Sequence, residues 1–457
     1  MTATKLDRAR LDTLLERERA VFTAEHPASL EAFRQARASL FGGVPMTWMN
    51  KAAGGFPIYV ESARGSWVRD IDGRDYVDFA LGDTGAMAGH SPAATVAAVT
   101  HRIADLGGFT TMMPTVDAVW VGSELARRFG LPLWSFSLTA TDANRWAIRL
   151  ARAVTGRPKI LVNSYCYHGS VDEVLVNVDR DGRQVIREGN VGAPVDPTTT
   201  TRVVEYNDLT ALERELAYGD VACVLMEPAL TNIGIVLPEP GYLEGVRALT
   251  RAAGTLLIND ETHTISAGPG GATRAWSLDP DMLTIGKAIG GGVPVGAYGM
   301  TAELADAIER MPGLDLVDVG GVGGTLAGNP VSVAATRATL AEVLTDAAWA
   351  PMLALAERFA DAVQAIVREH RLAWSVSRLG ARVEYRFCDP APRNGGESAA
   401  AADADLEDYL HVYLANRGVV LTPFHNMALM SPATTTADVD RHTEVFAAAV
   451  GELVVAR

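Results

Sequence analysis

The chain reads as an α/β protein: a mostly parallel central sheet with helices on both faces, plus a smaller α+β domain. Three observations predict this. After about residue 90, short apolar runs alternate with longer helical patterns. Those runs are apolar throughout, as strands buried on both faces require. From about residue 335 the composition turns to Ala-rich helix and then to several short strands.

In chain order, residues 6–40 carry a helical pattern, with Leu11, Leu14 and Leu15 beside Glu16, Arg17 and Glu18. Gly42-Gly43-Val44-Pro45 ends it. Two short strands follow, Ile58–Glu61 and Ser66–Asp70, and Asp72-Gly73 turns into Tyr76–Phe79. The buried-strand candidates are Trp134–Leu138, Lys159–Asn163, Val221–Met226, Leu256–Asn259 and Met282–Ile285. Helical stretches lie between them at Ala143–Val154, Leu209–Ala217 and Tyr242–Ala253. Toward the C-terminus come helices over Ala334–Leu344 and Pro351–His370, where Pro351 suits a first helical position. Strands are expected at Trp374–Val376, Arg382–Phe387 and Val419–Leu421, and a last helix from Thr436. Asp389–Glu397, rich in Pro and Gly, reads as a mobile loop or an insertion. The expected division is residues 1–75 as an N-terminal segment packing with the small domain, 76–334 as the large domain and 335–457 as the small one.

With 457 residues, 48% of them hydrophobic, the chain can bury a large core, and about 150 residues per domain suggests two or three domains. Charged residues at 21% and the lack of low-complexity tracts argue against wholesale disorder. A net charge of −15 argues against a polyanion-binding surface, so nucleic acid is a poor partner. Cys166, Cys223 and Cys388 are too scattered for a disulfide framework, and no Cys/His spacing suggests a metal. No apolar run reaches the roughly 18 residues of a membrane span, and the charged N-terminus has no signal-peptide core. The expectation is a cytoplasmic enzyme without membrane partners.

The chemistry concentrates at two strand ends, Leu256–Glu261 and Leu283–Gly292. Asp260 ends one buried strand and Lys287 follows the next, and in parallel sheets ligands collect at the carboxyl ends of strands. A carboxylate there can pair with a protonated pyridine nitrogen, and a lysine can form a Schiff base and shuttle a proton. Gly290-Gly291-Gly292 allow close backbone approach. Taken alone, these residues fit an ordinary strand end with a solvated lysine equally well.

Ordered motifs add to them: Asp70-Ile71-Asp72-Gly73 with Tyr76–Phe79, Gly89-His90-Ser91-Pro92, Ala147–Arg152, Cys166-Tyr167-His168-Gly169, Glu227-Pro228, Asp260-Glu261, Gly286-Lys287 and Gly324–Pro330. In this order and spacing the chain resembles class III (subgroup II) PLP-dependent aminotransferases of fold type I, in the branch around glutamate-1-semialdehyde aminomutase, from about Gly42 to the C-terminus. The resemblance implies pyridoxal 5'-phosphate (PLP) held as a Schiff base on Lys287, with Asp260 on the pyridinium and the Tyr167 ring stacked on its face. It implies that Thr139, Ala140 and Thr141, opening a helix, bind the phosphate, as a helix N-terminus suits. It further implies that Thr325 reaches the phosphate of a neighbouring subunit, which makes the protein a homodimer with shared sites. His168, Glu227, Asn232 and Thr262 complete the implied cofactor set.

Four departures from the family pattern stand out. Thr139-Ala140-Thr141-Asp142 replaces Ser-Gly-Thr-Glu, and Thr262 replaces the valine under the ring. Ala267 and Met49 or Asn50 occupy the two positions where relatives keep a carboxylate-binding arginine. Thr84-Gly85-Ala86-Met87 replaces Trp-Gly-Pro-Met. With Trp48 and His425, Thr84 and Met87 suggest a roomy apolar substrate pocket. The expected activity is therefore transamination between an amine or amino acid donor and a ketone, aldehyde or keto acid, tilted toward hydrophobic amines. The alternatives are a PLP-dependent aminomutase of the glutamate-1-semialdehyde type, an epimerase or a lyase, and further off a non-catalytic PLP-binding protein.

Overall fold

The computed structural model describes residues 4–192 and 195–454. The chain forms two compact units. One comprises the residues up to Ser91, Ala350–Ala391 and the chain from Ala401; the other comprises Pro92–Trp349 with Pro392–Ala400. The unit boundaries thus fall later in the chain than the 75/76 and 334/335 divisions expected from composition. Gly65 and His90 exchange backbone hydrogen bonds of 2.9 and 2.7 Å, which keeps the chain up to residue 90 with the first sheet. The helix Pro330–Ala338 packs on Ala93–His101 and Val116–Phe129, which keeps it with the large sheet.

In the first unit, the N-terminal helical segment is two helices, Arg8–Glu25 and Pro27–Ala36, broken at His26 where Pro27 opens the second. A four-stranded sheet runs Val60–Arg64, Trp67–Asp70, Asp75–Asp78 and Val419–Val420, the last pair parallel. A three-stranded antiparallel sheet holds Ser375–Leu379, Arg382–Arg386 and Met427–Leu429. The helices Trp349–Glu369, Ala404–Asn416 and Thr436–Leu453 complete the unit.

The second unit is the sheet that the apolar runs predict. Its seven strands lie side by side in the order Leu133–Ser137, Gly296–Met300, Met282–Ile285, Leu256–Asp260, Val221–Met226, Lys159–Asn163 and Thr201–Val204. Only Gly296–Met300 runs antiparallel to its neighbours. Its sequence, Gly-Ala-Tyr-Gly-Met, hides it from any reading of apolar runs. The glycines are there for packing: a Cβ on Gly296 would lie 2.5 Å from the Thr139 carbonyl oxygen, and one on Gly299 2.6 Å from the Trp134 ring. Helices Ala140–Thr155, Leu209–Leu216 and Tyr242–Ala253 follow the expected pattern.

Of the segment expected as a mobile loop or insertion after Cys388, the part from Pro392 is an anchored arm of the second unit. Arg393 pairs with Glu239 at 2.7 Å, its carbonyl accepts from Asn207 at 2.7 Å, and Ser398 donates to the Ile233 carbonyl. The short helix Gly395–Ala400 forms there. Its two glycines suggest a loop, but Glu205 accepts from the Gly396 N–H and the segment closes on the protein.

The start of the Pro27–Ala36 helix gives a test. Its N-cap, His26, makes no side-chain cap bond, and Asp72 serves instead by accepting from the Ala28 and Ser29 N–H groups at 2.6 and 3.0 Å and the Ser29 hydroxyl at 2.6 Å. Burial works to raise this carboxyl, but the Ser29 and Ala28 bonds outweigh it and hold it below its ordinary value. A depressed carboxyl contributes stability above its unfolded pKa and loses it as pH falls through the folded value. Asp72→Ala should therefore cost about 1 kcal/mol at pH 7, read as a lower urea midpoint, and the gap to wild type should shrink toward pH 3.

Candidate active site

Leu256–Asp260 and Met282–Ile285 run parallel, with Asp260 opposite Thr284, so both strands leave the sheet at one carboxyl edge. Asp260 is 3% exposed. Its Oδ2 accepts from Asn144 Nδ2 at 2.8 Å and contacts His168 Nδ1 at 2.9 Å, and its Oδ1 accepts from the Thr262 N–H at 3.0 Å. Asn144 also donates to the His168 carbonyl at 3.2 Å and accepts from the Thr284 hydroxyl at 2.6 Å. One amide thus ties both strand ends to the helix Ala140–Thr155 and to the Cys166–Gly169 segment. Burial alone would push the Asp260 carboxyl up. The hydrogen bond and charge of His168, helped by Thr262 and Asn144, outweigh it and hold the carboxyl well below the usual range. The neighbouring Glu261 goes the other way. It is equally buried, and burial pushes its carboxyl up despite bonds from the Thr264 hydroxyl at 2.6 Å and the Ala272 N–H at 3.0 Å. Adjacent carboxyl groups are thus set apart by their surroundings, one ionised at the strand edge and one committed to holding the next turn.

The helix Ala140–Thr155 begins beside them. Thr139 is its N-cap, accepting from the Asp142 N–H at 3.2 Å, and the first-turn N–H groups have no partner inside the helix. Gly169, at φ +77°, lies so close that a Cβ would come within 2.0 Å of the Thr141 hydroxyl oxygen. A Cβ on Gly286 would be 3.0 Å from that of Ala140, so the residue before Lys287 abuts the helix start. Lys287 itself sits at φ +49°, a left-handed conformation that is costly for a residue with a Cβ and that recurs at functional sites. Its Nζ is 2.8 Å from His263 Nε2.

The other expected residues vary in place. The Tyr167 ring is 42% exposed beside the buried His168. Thr262 is buried next to Asp260. Glu227 is buried and accepts from the Thr231 hydroxyl. Asn232 donates to the Tyr165 carbonyl at 3.4 Å. Thr325 is exposed and outside the hydrogen-bonded cluster of the second unit. Trp48, Thr84, Met87 and His425 belong to the first unit. There Trp48 meets Phe424 edge-on at 5.4 Å and lines an apolar cavity of about 650 Å³ with Phe22, Phe56, Tyr59 and His411. Met87 is fully buried, the Thr84 hydroxyl accepts from Arg382, and His425 Nδ1 lies 3.3 Å from Glu384.

Three site residues escape a reading of motifs: Asn144 as the bridge, Thr284 as its donor, and His263 against Lys287. Asn144 lies one helical turn past Ala140, on the helix face that carries it, and this spacing is the one signal that points to it. His263 follows Asp260 by three positions, and only the turn Thr264–Ala267 decides where its ring goes.

The family model for class-III aminotransferases matches residues 48–450. The chain belongs to that family. Among class-III relatives, glutamate-1-semialdehyde 2,1-aminomutase 2 of Brevibacillus brevis is 33% identical over 432 residues, 91% of this chain and 96% of that one. A crystal structure of a glutamate-1-semialdehyde-aminomutase from Pseudomonas aeruginosa is 49% identical with a TM-score of 0.95, covering 98% of this chain and 100% of its own. A lysine-to-alanine variant of that protein is solved in complex with PMP. An omega-transaminase structure from Sphaerobacter thermophilus is 28% identical, with a TM-score of 0.84 and 93% and 98% coverage.

The buried Asp260–His168 pair is the most exposed to mutation. Removing one partner strands the other charge without water, at a cost of about 3–5 kcal/mol. His168→Phe should lower the unfolding free energy by that amount, read as a lower urea midpoint, while Asn144 and the Thr262 N–H remain. An unchanged midpoint would show that the histidine adds nothing to the carboxylate.

Proposed function

We propose that the chain is a PLP-dependent aminomutase of the glutamate-1-semialdehyde type, which moves an amino group between neighbouring carbons of one small substrate. The observation that carries this is the 49% identity to the Pseudomonas aeruginosa aminomutase over 98% of the chain, against 28% to the omega-transaminase. Pyridoxal 5'-phosphate is the cofactor, and the donor set fits it. The chain offers a buried ionised carboxylate for a pyridinium, a primary amine for an aldehyde, a helix N-terminus with two hydroxyls for a phosphate, and an open tyrosine ring for an aromatic face. When bound, the cofactor supplies an electron sink for the carbanion formed beside the amino nitrogen.

The protein's part is to bind, orient and move protons. Asp260, held anionic by His168 and Asn144, keeps a proton on the pyridine nitrogen and so keeps the sink electron-poor. Thr139, Thr141 and the free N–H groups of the Ala140–Thr155 helix hold the phosphate. Ala140, in place of the family's glycine, leaves those N–H groups available. Tyr167, whose side chain is open, would supply an aromatic face for the cofactor ring, and the buried Thr262 would stand beside Asp260 at the same site. Lys287 is the attachment amine, and when free it takes a proton from carbon at Nζ and returns it at another carbon. His168, Glu227 and Asn232 support this arrangement through the contacts given above. A homodimer goes with this reading. Thr325 is exposed, and so are Met112, Met113, Val317 and Val319 in the same unit, an apolar set that a second copy of the chain would cover.

The transaminase reading keeps one specific support. Neither position where relatives keep a carboxylate-binding arginine has one: Met49 and Asn50 stand at one and Ala267 at the other. Arg393 is committed to Glu239. A substrate without a carboxylate, as a hydrophobic amine transaminase would use, fits those positions.

The two readings separate in one experiment. The purified enzyme with its cofactor in the aminated form is given glutamate 1-semialdehyde, and the isomer with the amino group moved from carbon 2 to carbon 1 is sought by mass spectrometry. Its formation with no added amino acceptor is the expected result. Absence of the isomer, together with steady amino exchange between an arylalkyl amine and pyruvate, would move the chain to the transaminases. In either reaction Lys287→Ala should lower turnover by at least a thousandfold, about 4 kcal/mol, while cofactor still binds noncovalently, as absorbance of the dialysed protein would show. Asp260→Ala should be comparably impaired.

A further inference from the structure

A cavity of about 650 Å³ opens in the first unit, and its lining residues all belong to that unit. Protein interiors leave few voids larger than a water molecule. Small-molecule sites run from roughly 300 to 1,000 Å³ and are largely pre-formed. This cavity has walls of that kind. The short helical turn Thr47–Asn50 carries Trp48 on one wall, and the chain after it is pinned. Arg19 Nε donates to the Ala53 carbonyl at 2.9 Å, and a Cβ on Gly54 would lie 2.3 Å from the Phe22 ring. Phe22, Phe56, Val68, Val412 and Leu421 make the rest of the lining apolar. Most of its polar groups are taken up by neighbours. The Tyr59 hydroxyl donates to the Gly43 carbonyl at 3.2 Å, and the Tyr76 hydroxyl donates to Asp70 at 2.6 Å. Asp78 accepts from the Ala80 and Leu81 N–H groups at 2.8 and 3.0 Å and holds His90 at 2.7 Å. His411 contacts Asn426 at 3.3 Å, and burial pushes its ring down to about 4, so it is neutral at pH 7.

Lys51 is the exception. It lines the cavity, and its Nζ stands 5.8 Å over the Phe424 ring, which Trp48 meets edge-on at 5.4 Å. Among the described residues its amine makes no hydrogen bond or ion pair. Burial pushes the nearby Glu407 carboxyl up, toward its neutral form, although the charge of Lys51 works against it. We propose that this cavity is a binding site for a small apolar carboxylate. The apolar body lies among Phe22, Trp48 and Phe56, and the carboxylate meets Lys51. One cation among apolar walls selects for one anionic group. A second charge on the ligand's body would lie against apolar side chains without a partner. An amine would meet Lys51 as a like charge, and an uncharged molecule would gain nothing from it. This site lies beyond the aminomutase reading and does not depend on it.

The test is isothermal titration calorimetry on the full-length holoenzyme. The probes are 4-phenylbutanoate and its isosteric amide, 4-phenylbutanamide, neither of which has an amine to react with the cofactor. Wild type should bind both saturably, and the carboxylate about fivefold more tightly, which is the reach of an ion pair near solvent. Lys51→Met should bring the carboxylate to the affinity of the amide and leave the amide unchanged. Lys51→Arg should keep the preference. Ala63→Phe, which puts a ring into the cavity from a half-buried position on its wall, should weaken both probes about tenfold or more. If that variant does not fold, Ala52→Leu, also half-buried on the wall, serves for it. Any one of four results would overturn the proposal. These are no saturable binding in the millimolar range, equal affinity of wild type for acid and amide, an unchanged preference in Lys51→Met, and a filled cavity that binds both probes as wild type does. No turnover is read, so failure here leaves the aminomutase reading untouched.

Discussion

Asp260 is an ionised carboxylate at the edge of a sheet with almost no access to water, and the surrounding architecture exists to make that state tolerable. An unpaired charge in such a place would simply pick up a proton. Here Asn144 comes from a helix, His168 from the segment after the next strand, and the Thr262 N–H from the turn that follows. Holding the charge therefore fixes where the helix starts, where the Cys166–Gly169 segment lies, and how the Leu256–Asp260 strand ends. The same contacts bring Ala140 against Gly286 and so set the position of Lys287. The electrostatic requirement and the packing requirement are met by one set of residues.

The site also shows how a short stretch of chain can give neighbouring groups opposite behaviour. Asp260 and Glu261 are adjacent and equally buried, yet one is driven down and the other up. The difference lies in the partner: Asp260 has an imidazole, whereas Glu261 has only neutral donors. A positive φ at Lys287 and another at Gly169 show that the backbone at this edge is bent to serve the side chains. Such local strain persists because the hydrogen bonds around it over-determine the geometry.

Amino-group chemistry goes with the class-III aminotransferase family to which the chain belongs. What distinguishes an aminomutase from a transaminase is whether the substrate stays bound between two transfers, and that depends on residues around the substrate rather than around the ring. The residues expected at the substrate end, Trp48, Thr84, Met87 and His425, belong to the other unit. Likeness across the whole chain therefore speaks more strongly about the reaction than the pocket residues do.

Much of this was legible in the sequence. Lys159–Asn163, Val221–Met226 and Met282–Ile285 were readable because continuous apolar runs bounded by turns have few other uses in a large α/β chain. Asp260 and Lys287 were readable as strand-end residues from their spacing, whereas Tyr167 and the Thr139–Thr141 turn were singled out only through the resemblance to the family. Strands such as Gly296–Met300 were not, since glycine is there to let another backbone approach, and that neighbour is remote in sequence. The anchored arm after Cys388 was hidden for a similar reason: Pro and Gly signal a turn but do not reveal Glu239 or Asn207 waiting to bind it. The sequence by itself determined the fold class and that an acid and a lysine stand at or just past the ends of neighbouring buried strands. Only the tertiary structure decided that Asn144 bridges two strand ends, that His168 holds the carboxylate ionised, and that His263 lies against Lys287. Those contacts join residues far apart in sequence or turn on one dihedral angle, and neither leaves a periodic trace in the chain.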